Sequence, residues 1–437
     1  MTAGPSGSDR LATGDTIEVE IERAVYRGRG LGRHEGRVVF VPRSFPGDRV
    51  RARVRAVHAG YAEAEALDLV SPSPERRRSP CPYVPRCGGC AYQELSYAAQ
   101  LRAKEAILRE SLVRAGAAWE GLIPTHPSPE EGWRMRASLH FAVGEGGLVL
   151  GLHQEGTRRV VDVERCLQLS ASANEVARTL RAVLAGRPAL HRYLRGCDLI
   201  ESPDAGTRVA VLQTALAPHD APSLAFLAGE VKGLAGLGVA TGPRLHWLFG
   251  PPHVEATALG IVLRVHARSF FQANRFLYEP LARAVLELLP PGGRVLDLYA
   301  GVGLFALPAA ARGADGVVAV EKAPTAVEDA RTSARRAGLD HVRFIRADVG
   351  RALSSLRPEE GERIVLDPPR TGVEEAVIEA VAARRPEVVL YVSCDPPTLG
   401  RDLARLSRHG YRPDAVQAFD LFPDTFHVET VVRLRRS

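Results

Sequence analysis

The chain has 437 residues, 45% of them hydrophobic and 25% charged, a balance typical of a folded protein too long for a single core. Its net charge of +6 favours a polyanionic partner such as nucleic acid, although the excess is modest for this length. There is no run of 18 apolar residues for a membrane span and no basic-then-apolar export signal at the start, so we expect a cytoplasmic protein without a membrane partner.

The N-terminal region predicts a tail followed by a small β-barrel. Residues 1–13 are rich in glycine, serine and alanine, and we expect them to be disordered. Apolar and polar residues then alternate between glycine-marked turns, and in the stretch 49–55 arginine occupies every second position. This pattern predicts an antiparallel barrel over 14–70. Its arginines could face a polyanion or could form an ordinary solvated strand face.

A cluster of cysteines follows the linker-like stretch SPSPERRRSP at 71–80. In a reducing compartment, clustered cysteines favour metal binding over disulfides. Four thiolates suit Zn²⁺ or an iron–sulfur cluster equally well, and their spacing does not distinguish the two. We assign a structural role to Cys197, which lies outside this set. The candidate metal ligands are Cys81, Cys87, Cys90 and Cys166.

The stretch 71–265 is predicted to form a central α+β domain with a less regular pattern. Helical periodicity runs from 97 to 116, and short strand-like stretches follow it. Arg134 and Arg136 would share one face of such a strand. They could contact phosphate or could be plain surface charge.

The stretch 266–437 predicts a different architecture. Buried strand-like runs alternate there with helical stretches, which is typical of a doubly wound, Rossmann-like α/β domain with a parallel sheet. Ligands of such domains bind beyond the carboxyl ends of the strands. The motifs described next all fall at predicted strand ends.

The stretch DLYAGVGLF at 297–305 is a strand end, a glycine turn and a helix start. Gly301 and Gly303 would let a ligand approach the backbone closely. At later strand ends, Glu321 could bind two ribose hydroxyls and Asp348 could meet an adenine amino group. The glycine spacing is not the G-x-G-x-x-G of nicotinamide cofactors. It favours S-adenosylmethionine, with a nicotinamide cofactor as the alternative.

Two further strand ends carry chemistry. VLDPPRTG places Asp367 at one of them, and YVSCDPPTL places Cys394 at the next. A lone cysteine in a strand is more often a small buried apolar residue. Its position beside a methyl donor favours a nucleophile, because a thiolate added to C6 of uracil makes C5 nucleophilic enough to take a methyl group.

Such a reaction also needs a base to remove the C5 proton before the cysteine can leave. DLFPDTFHVET supplies Glu429 for this role, with His427 and Asp424 as weaker candidates. Without the motif, Glu429 would read as a surface carboxylate on a final strand.

The motifs DLYAGVG, LDPPR, YVSCDP and FPDTFHVE occur in the order found in the RNA 5-methyluridine (uracil-C5) methyltransferases of the TrmA/RumA type, and the chain resembles this family over nearly its whole length. The resemblance implies a methyl transfer from S-adenosylmethionine through a covalent adduct, with Cys394 as nucleophile and Glu429 as general base. Leu304 stands where family members often have a polar residue, so no cofactor contact is assigned to it. The cofactor contacts implied by the resemblance are Gln272, Tyr299, Gly301, Glu321, Asp348 and Asp367.

The resemblance also implies that the barrel is a TRAM domain, an RNA-binding module. The subset of the family that acts on ribosomal RNA holds a [4Fe–4S] cluster with the same cysteine arrangement, which implies that cluster here rather than zinc. Its role would be to fold the segment, because the methyl transfer has no redox step.

The implied partner is RNA, with 23S ribosomal RNA first and transfer RNA as the alternative, and no obligate protein partner is implied. Two rival functions stay open. An RNA 5-methylcytosine methyltransferase would usually carry a second cysteine beside the motif that reads LDPPR here. A non-catalytic RNA-binding protein could have kept the methyltransferase fold.

Overall fold

The computed structural model describes residues 11–204 and 206–436, which form two compact units. Within these residues, the first unit comprises 11–82, 90–107 and 424–426, and the second unit comprises the rest. The first ten residues of the predicted tail lie outside the described part of the chain. The domain boundaries at 70/71 and 265/266 stay predictions, since both units are assembled from several stretches of chain.

The first unit contains a closed five-stranded barrel, which confirms the predicted barrel fold. Neighbouring strands are antiparallel except for one parallel pair between the third and fifth strands. Alternate residues of the first and fourth strands, such as Val19 and Val50, are buried in the barrel core. The strands, in the sheet order β1-β2-β3-β5-β4, are β1 (Thr16–Val25), β2 (Arg29–His34), β3 (Arg37–Pro42), β4 (Arg49–Val57) and β5 (Tyr61–Ser71).

The arginines of β4 are paired within the barrel. Three of them form ion pairs with carboxylates on β1 and β5, the two strands that flank β4. The positive charge on this strand face, which the sequence offered as a possible RNA contact, is therefore largely neutralised by carboxylates of the barrel itself. The pairs are Arg49–Glu18, Arg51–Asp68 and Arg55–Glu65.

A buried polar network surrounds Asp424, which belongs to the first unit. Its carboxylate accepts hydrogen bonds from Arg77 and Gln100 at 3.0 and 3.1 Å and from Gln93 at 3.3 Å. Its backbone carbonyl accepts from the Tyr92 amide at 2.8 Å. Because its oxygens are held by these donors, Asp424 is a poor candidate for a catalytic base. The helix α1 (Tyr97–Arg114) supplies Gln100.

The first strand of the second unit is the short β6 (Thr125–His126), and a seven-stranded sheet follows it in the chain. The sheet order is β13-β12-β11-β10-β7-β8-β9, which confirms an α+β central region. Its strands are β7 (Arg136–Gly144), β8 (Gly147–His153), β9 (Val160–Asp162), β10 (Leu194–Glu201), β11 (Arg208–Thr214), β12 (Gly236–Thr241) and β13 (Arg244–Phe249).

Helix α2 (Ala171–Ala185) packs on this sheet. The Ser170 hydroxyl accepts a hydrogen bond from the Ala173 amide at 3.0 Å and so caps the helix. Apolar residues three and four apart, among them Val176 and Leu180, turn one stripe of the helix into the core. The remaining elements of this region are α3 (Pro188–His191), a 3-10 helix (Pro218–Leu224), α4 (Leu227–Glu230), and the hairpin of β14 (His253–Ala258) and β15 (Ile261–His266).

The rest of the second unit is an eight-stranded sheet in the order β18-β17-β16-β19-β20-β22-β21-β6. The first five strands in that order are parallel, which confirms the predicted Rossmann-like fold. The strands are β16 (Arg294–Leu298), β17 (Gly316–Glu321), β18 (Arg343–Arg346), β19 (Arg363–Leu366), β20 (Val388–Ser393), β21 (Tyr411–Phe419) and β22 (Glu429–Arg436). The helices are α5 (Tyr278–Leu288), α6 (Ala306–Ala311), α7 (Pro324–Arg336), α8 (Val349–Ser355), α9 (Glu375–Ala383) and α10 (Pro396–Arg408).

The strand order of this sheet reverses between β16 and β19. On one side β16 pairs with β17, the next strand in the chain, and on the other side it pairs with the later strand β19. The strand β16 is buried on both faces, with Val295 in one core and Leu296 in the opposite core. Such a reversal opens a crevice at the carboxyl ends of the strands, where ligands bind. Within the described residues, no helix is both long and apolar enough to span a bilayer.

Candidate active site

A cavity of about 480 Å³ lies within the second unit at the carboxyl ends of the parallel strands. It is lined by eight of the residues that the sequence assigned to catalysis or to cofactor binding, but not by Gly303 or by the weaker base candidates Asp424 and His427. The structure thus brings together side chains up to 157 positions apart in the sequence, from 272 to 429. These residues are Gln272, Tyr299, Gly301, Glu321, Asp348, Asp367, Cys394 and Glu429.

The glycine turn after β16 leaves room for a ligand. Gly301 has φ 55, and a Cβ atom added to it would meet no atom within 4 Å. Gly303 has φ 90, and a Cβ there would lie 3.0 Å from the Leu307 side chain. Gly301 therefore keeps the cavity wall open, while Gly303 allows the following chain to pack closely.

Carboxylates stand at the ends of the neighbouring strands. Glu321 ends β17 and accepts hydrogen bonds from the amides of Gly301 at 3.0 Å and Ala323 at 2.7 Å. Asp348 follows β18 and accepts from the Gly350 amide at 3.0 Å, which caps α8. These bonds fix both carboxylates at the positions where the sequence predicted ribose and adenine contacts.

Two more buried carboxyl groups belong to this part of the sheet: Asp367 lines the cavity, and Asp297 lies fully buried in β16 behind it. Burial, reinforced by Glu321, raises the pKa of Asp367 to about 7, and the Gln272 amide lies 3.5 Å from its carboxylate. Burial, reinforced by Asp367, raises the pKa of Asp297 to about 8. One Asp297 oxygen accepts from the Ala306 amide at 2.9 Å, and the other has no partner among the described residues. Buried carboxyls without a cation are costly to ionise, and a sulfonium ion would relieve that cost.

Cys394 lies between β20 and α10, partly buried in the cavity. Burial, reinforced by the nearby Glu429, raises the pKa of its thiol to about 12, and the Arg370 guanidinium opposes this shift. The thiol also precedes the N-terminus of α10, where Asp395 accepts from the Thr398 amide at 3.0 Å. The helix begins with Pro396 and Pro397, which have no amide hydrogen, and Asp395 already occupies the Thr398 amide, so this helix end offers the thiolate no free amide.

Glu429 is the first residue of β22 and is only 3% exposed. Burial and the nearby Asp367 raise the pKa of its carboxyl well above the ordinary value, and Arg370 partly opposes that shift. The cavity thus holds a thiol and a carboxyl whose pKa values are both raised. Because both groups line one cavity, the Cys394 sulfur could act on one carbon of a bound ring while the Glu429 carboxylate acts on the neighbouring carbon.

Arg370 is the residue that sequence reasoning missed at this site. It acts electrostatically on both Cys394 and Glu429, and its guanidinium lies 3.3 Å from the imidazole Nε2 of His427. The available signal was its place in LDPPR, three residues after Asp367 in the turn beyond β19. A cation at this point can support both a thiolate and an enolate oxygen.

Aromatic side chains form another part of the cavity wall. Phe270 is 69% exposed and lines the cavity, as does Phe422. The Phe422 ring meets the His427 ring edge-on at 5.6 Å and the buried Trp133 ring at 5.9 Å. Such rings offer surfaces on which a nucleobase can stack.

Arg134 and Arg136, for which the sequence left phosphate contact and plain surface charge open, make other contacts in the fold. Arg136 donates hydrogen bonds to the carbonyls of Ala267, at 2.9 Å, and Ser269, and its burial lowers the pKa of its guanidinium. Arg134 places its guanidinium 4.9 Å from the Trp133 ring centroid. Arg136 is therefore a support for the backbone that leads to Gln272 and is not available to a phosphate.

The four candidate metal ligands differ in burial. Cys87 and Cys90 are buried, while Cys81 and Cys166 are partly buried. The Gly89 amide donates to the Cys87 sulfur at 3.4 Å. Among the described residues, no group of three or more His, Cys, Asp or Glu side chains is placed to hold a metal ion. The donor chemistry suits an iron–sulfur cluster, and the site itself stays a prediction.

The remaining cysteine behaves as the sequence suggested. Cys197 lies inside β10, is 2% exposed, and packs in the core of the seven-stranded sheet. Burial raises the pKa of its thiol far above the ordinary value, which makes it a poor nucleophile and a poor metal ligand.

The parallel sheet, the glycine turn and the acidic cavity at the strand reversal define a methyltransferase of the Rossmann-like class. Comparisons with known proteins extend this conclusion. The sequence profile of the tRNA (Uracil-5-)-methyltransferase family matches residues 257–437, and that of the TRAM domain matches residues 10–67.

Full-length relatives are also similar. The chain is 32% identical to an uncharacterized RNA methyltransferase of Halalkalibacterium halodurans, over 96% of this chain and 97% of the relative. It is 34% identical to the 23S rRNA (uracil(1939)-C(5))-methyltransferase RlmD of Alkalilimnicola ehrlichii, over 97% of each chain.

A solved structure is similar to this chain over nearly its whole length. The Pyrococcus abyssi tRNA (uracil-54, C5)-methyltransferase, in complex with S-adenosyl-L-homocysteine, has a TM-score of 0.75 and 26% identity, and the alignment covers 95% of this chain and 99% of that one. The chain belongs to the RNA uracil-C5 methyltransferase family. It is therefore an S-adenosylmethionine-dependent RNA methyltransferase with a TRAM domain, and the nicotinamide, 5-methylcytosine and non-catalytic alternatives are set aside.

Proposed function

We propose that this protein methylates C5 of a uridine in 23S ribosomal RNA through a covalent adduct between Cys394 and C6 of the uracil ring. The observation that carries the proposal is the shared cavity, which places Cys394 and Glu429 beside the residues predicted to bind the cofactor. When bound, S-adenosylmethionine supplies an electrophilic methyl group on a sulfonium. Glu321, Asp348, Gly301 and the carboxyl of Asp367 would hold it.

The first step belongs to Cys394. Its thiol must lose a proton before sulfur bonds to C6, and the raised pKa makes this costly in the resting protein. The guanidinium of Arg370 lowers that cost. Formation of the S–C6 bond breaks the C5–C6 double bond and leaves an enolate across C4 and C5, which makes C5 the nucleophile.

The last step belongs to Glu429. Once C5 carries the methyl group, a base must take the remaining C5 proton so that the S–C6 bond breaks and the double bond returns. The raised pKa of Glu429 makes its carboxylate a stronger base than an exposed glutamate. Its burial also keeps water from competing for the adduct.

The choice of RNA is supported by different relatives. The RlmD relatives named for 23S rRNA, 34% and 35% identical to this chain, favour ribosomal RNA. The Pyrococcus abyssi structure, named for tRNA uracil-54, supports transfer RNA as a second candidate. We take ribosomal RNA first, because those relatives have the higher identity over a similar share of the chain, and we expect the reaction in the cytoplasm.

The test is to incubate the protein with S-adenosylmethionine and either 23S rRNA or transfer RNA, and to identify modified nucleosides by mass spectrometry. We expect 5-methyluridine in 23S rRNA at one position, and none with Cys394→Ala. 5-Methyluridine only in transfer RNA would change the substrate, and 5-methylcytidine would refute the proposed base.

We further propose that Cys81, Cys87, Cys90 and Cys166 hold a [4Fe–4S] cluster. Thiolates are the ligands that such clusters need, and the cluster would organise its segment without taking part in methyl transfer. Anaerobic reconstitution should give brown protein with about four irons per chain. Cys166→Ser should lose iron, whereas the control Cys197→Ser should keep it. Colourless protein with one zinc ion would contradict this assignment.

A further inference from the structure

The buried side chain of Asn274 joins two loops that both contribute residues to the active-site wall. Its Nδ2 donates hydrogen bonds to the Leu421 carbonyl at 3.1 Å and to the Ser128 hydroxyl at 2.8 Å. Its Oδ1 accepts from the amides of Phe276 at 2.9 Å and Leu277 at 3.2 Å. Asn274 is 0% exposed, so both donors and both acceptor positions of a buried amide are used.

The first of these loops carries cavity residues. Phe270 and Gln272 lie just before Asn274 in the chain, and both line the cavity. The backbone on either side of Asn274 is tied to the neighbouring chain, with the Met135 amide donating to Ala273 at 2.7 Å. This loop is therefore fixed independently of the Asn274 side chain.

The second loop runs from the end of β21 to Glu429 at the start of β22. Leu421, whose carbonyl accepts from Asn274, immediately precedes the cavity residue Phe422. At its start the loop is also held by the Asp420 amide, which donates to His126 at 2.9 Å. The bond from Asn274 links this loop to the loop of Gln272.

We propose that Asn274 is a positioning residue, which holds the loop leading to Glu429 in register with the loop that carries Gln272. This inference rests on the proposed function, because it assigns Glu429 the proton-accepting step. A base must lie within hydrogen-bond reach of its proton, and a displacement of about 1 Å can cost about 100-fold in rate. Asn274 touches neither cofactor nor uridine in this scheme and acts through the backbone of Leu421.

One substitution removes the hydrogen bond from Asn274 to the Leu421 carbonyl selectively. Asn274→Asp keeps Oδ1 for the amides of Phe276 and Leu277, and it replaces the Nδ2 donor with an oxygen that faces the Leu421 carbonyl. Ser128→Ala is the matched control, since it removes the other partner of Nδ2 and leaves the bond to Leu421 in place.

We expect Asn274→Asp to slow release of methylated RNA about 10- to 100-fold and to accumulate the covalent adduct on a denaturing gel. Its dissociation constant for S-adenosylmethionine should stay within about threefold of the unsubstituted protein. Ser128→Ala should behave like the unsubstituted protein. In hydrogen–deuterium exchange, the peptide spanning 420–428 should exchange faster in Asn274→Asp and not in Ser128→Ala.

Unchanged release together with unchanged exchange at 420–428 would overturn the inference. A parallel loss of cofactor binding, melting temperature and all reaction steps would also overturn it, because it would indicate a merely structural role. Absence of 5-methyluridine and of adduct with the unsubstituted protein would instead defeat the proposed function. The exchange measurement would then still decide whether Asn274 couples the two loops.

Discussion

Replacing Glu429 with glutamine is expected to trap the protein on its RNA. The substitution keeps the size of a side chain that is 3% exposed and removes the group that accepts the C5 proton. General-base catalysis contributes about 100- to 10,000-fold to such a step, equivalent to about 3–5 kcal/mol. Product release should fall by that factor, while addition of Cys394 to C6 does not need this base.

The substitution should also help the addition step. Burial and Glu429 together raise the pKa of Cys394 to about 12, so on the order of one thiol in 10,000 is ionised at pH 8. Removing the negative charge of Glu429 lowers that pKa, and each tenfold gain in thiolate corresponds to about 1.4 kcal/mol. Adduct should therefore form at least as fast in Glu429→Gln as in the unsubstituted protein, and then persist.

The assay is a denaturing gel with methyl-labelled S-adenosylmethionine. A labelled, slow-migrating protein–RNA band should appear with Glu429→Gln and be absent when Cys394→Ala is combined with it. Ordinary turnover by Glu429→Gln without a band would refute the assignment of the base, and His427 and Asp367 would be the next candidates. A band in Cys394→Ala alone would refute the assignment of the nucleophile.

Three other predictions follow from the charges of the site and the barrel. Because burial raises the pKa of Asp367 to about 7, affinity for the cationic S-adenosylmethionine should rise between pH 6 and pH 8 as this group ionises, while affinity for uncharged S-adenosylhomocysteine should change much less; equal slopes in calorimetry would contradict this. Arg370→Met should raise the pKa of Cys394 and so shift the pH profile of single-turnover adduct formation to higher pH. At a fixed pH below this pKa, adduct formation should be about tenfold slower for each pH unit of the shift. The control Arg370→Lys should preserve most of the rate. The double substitution Glu65→Gln and Asp68→Asn neutralises two carboxylates that pair with β4 arginines, and it should tighten RNA binding. A plot of log association constant against log salt concentration should become steeper by up to about one for each freed arginine. An unchanged slope would mean that this face does not contact RNA.

The cavity must meet two opposite electrostatic demands. Carboxyl groups at Asp367 and Glu321 suit a sulfonium cation, whereas Asp367 and Glu429 disfavour the Cys394 thiolate. Arg370 is the cation that offsets this conflict at the thiol.

Much of the fold is already determined by local patterns in the sequence. Alternating residues in 14–70 predicted a barrel, and the buried runs ending in DLY, LDPP and YVSC predicted parallel strands. Because the carboxyl ends of parallel strands meet at one edge, motifs at those ends predicted a shared site, and the structure places Asp367, Cys394 and Glu429 in one cavity.

Tertiary structure decided which partners the charged and polar side chains have. For the arginines of β4 the sequence left RNA contact and a solvated strand face open, and strand order in the barrel sets carboxylates of β1 and β5 beside them. For Arg136 it left phosphate contact and surface charge open, and sheet packing buries this residue against the carbonyls of Ala267 and Ser269. The roles of Arg370 and Asn274 likewise depend on loops far apart in sequence. Periodicity reports which face of an element is buried, whereas the partner of a polar group is fixed only when distant elements pack together.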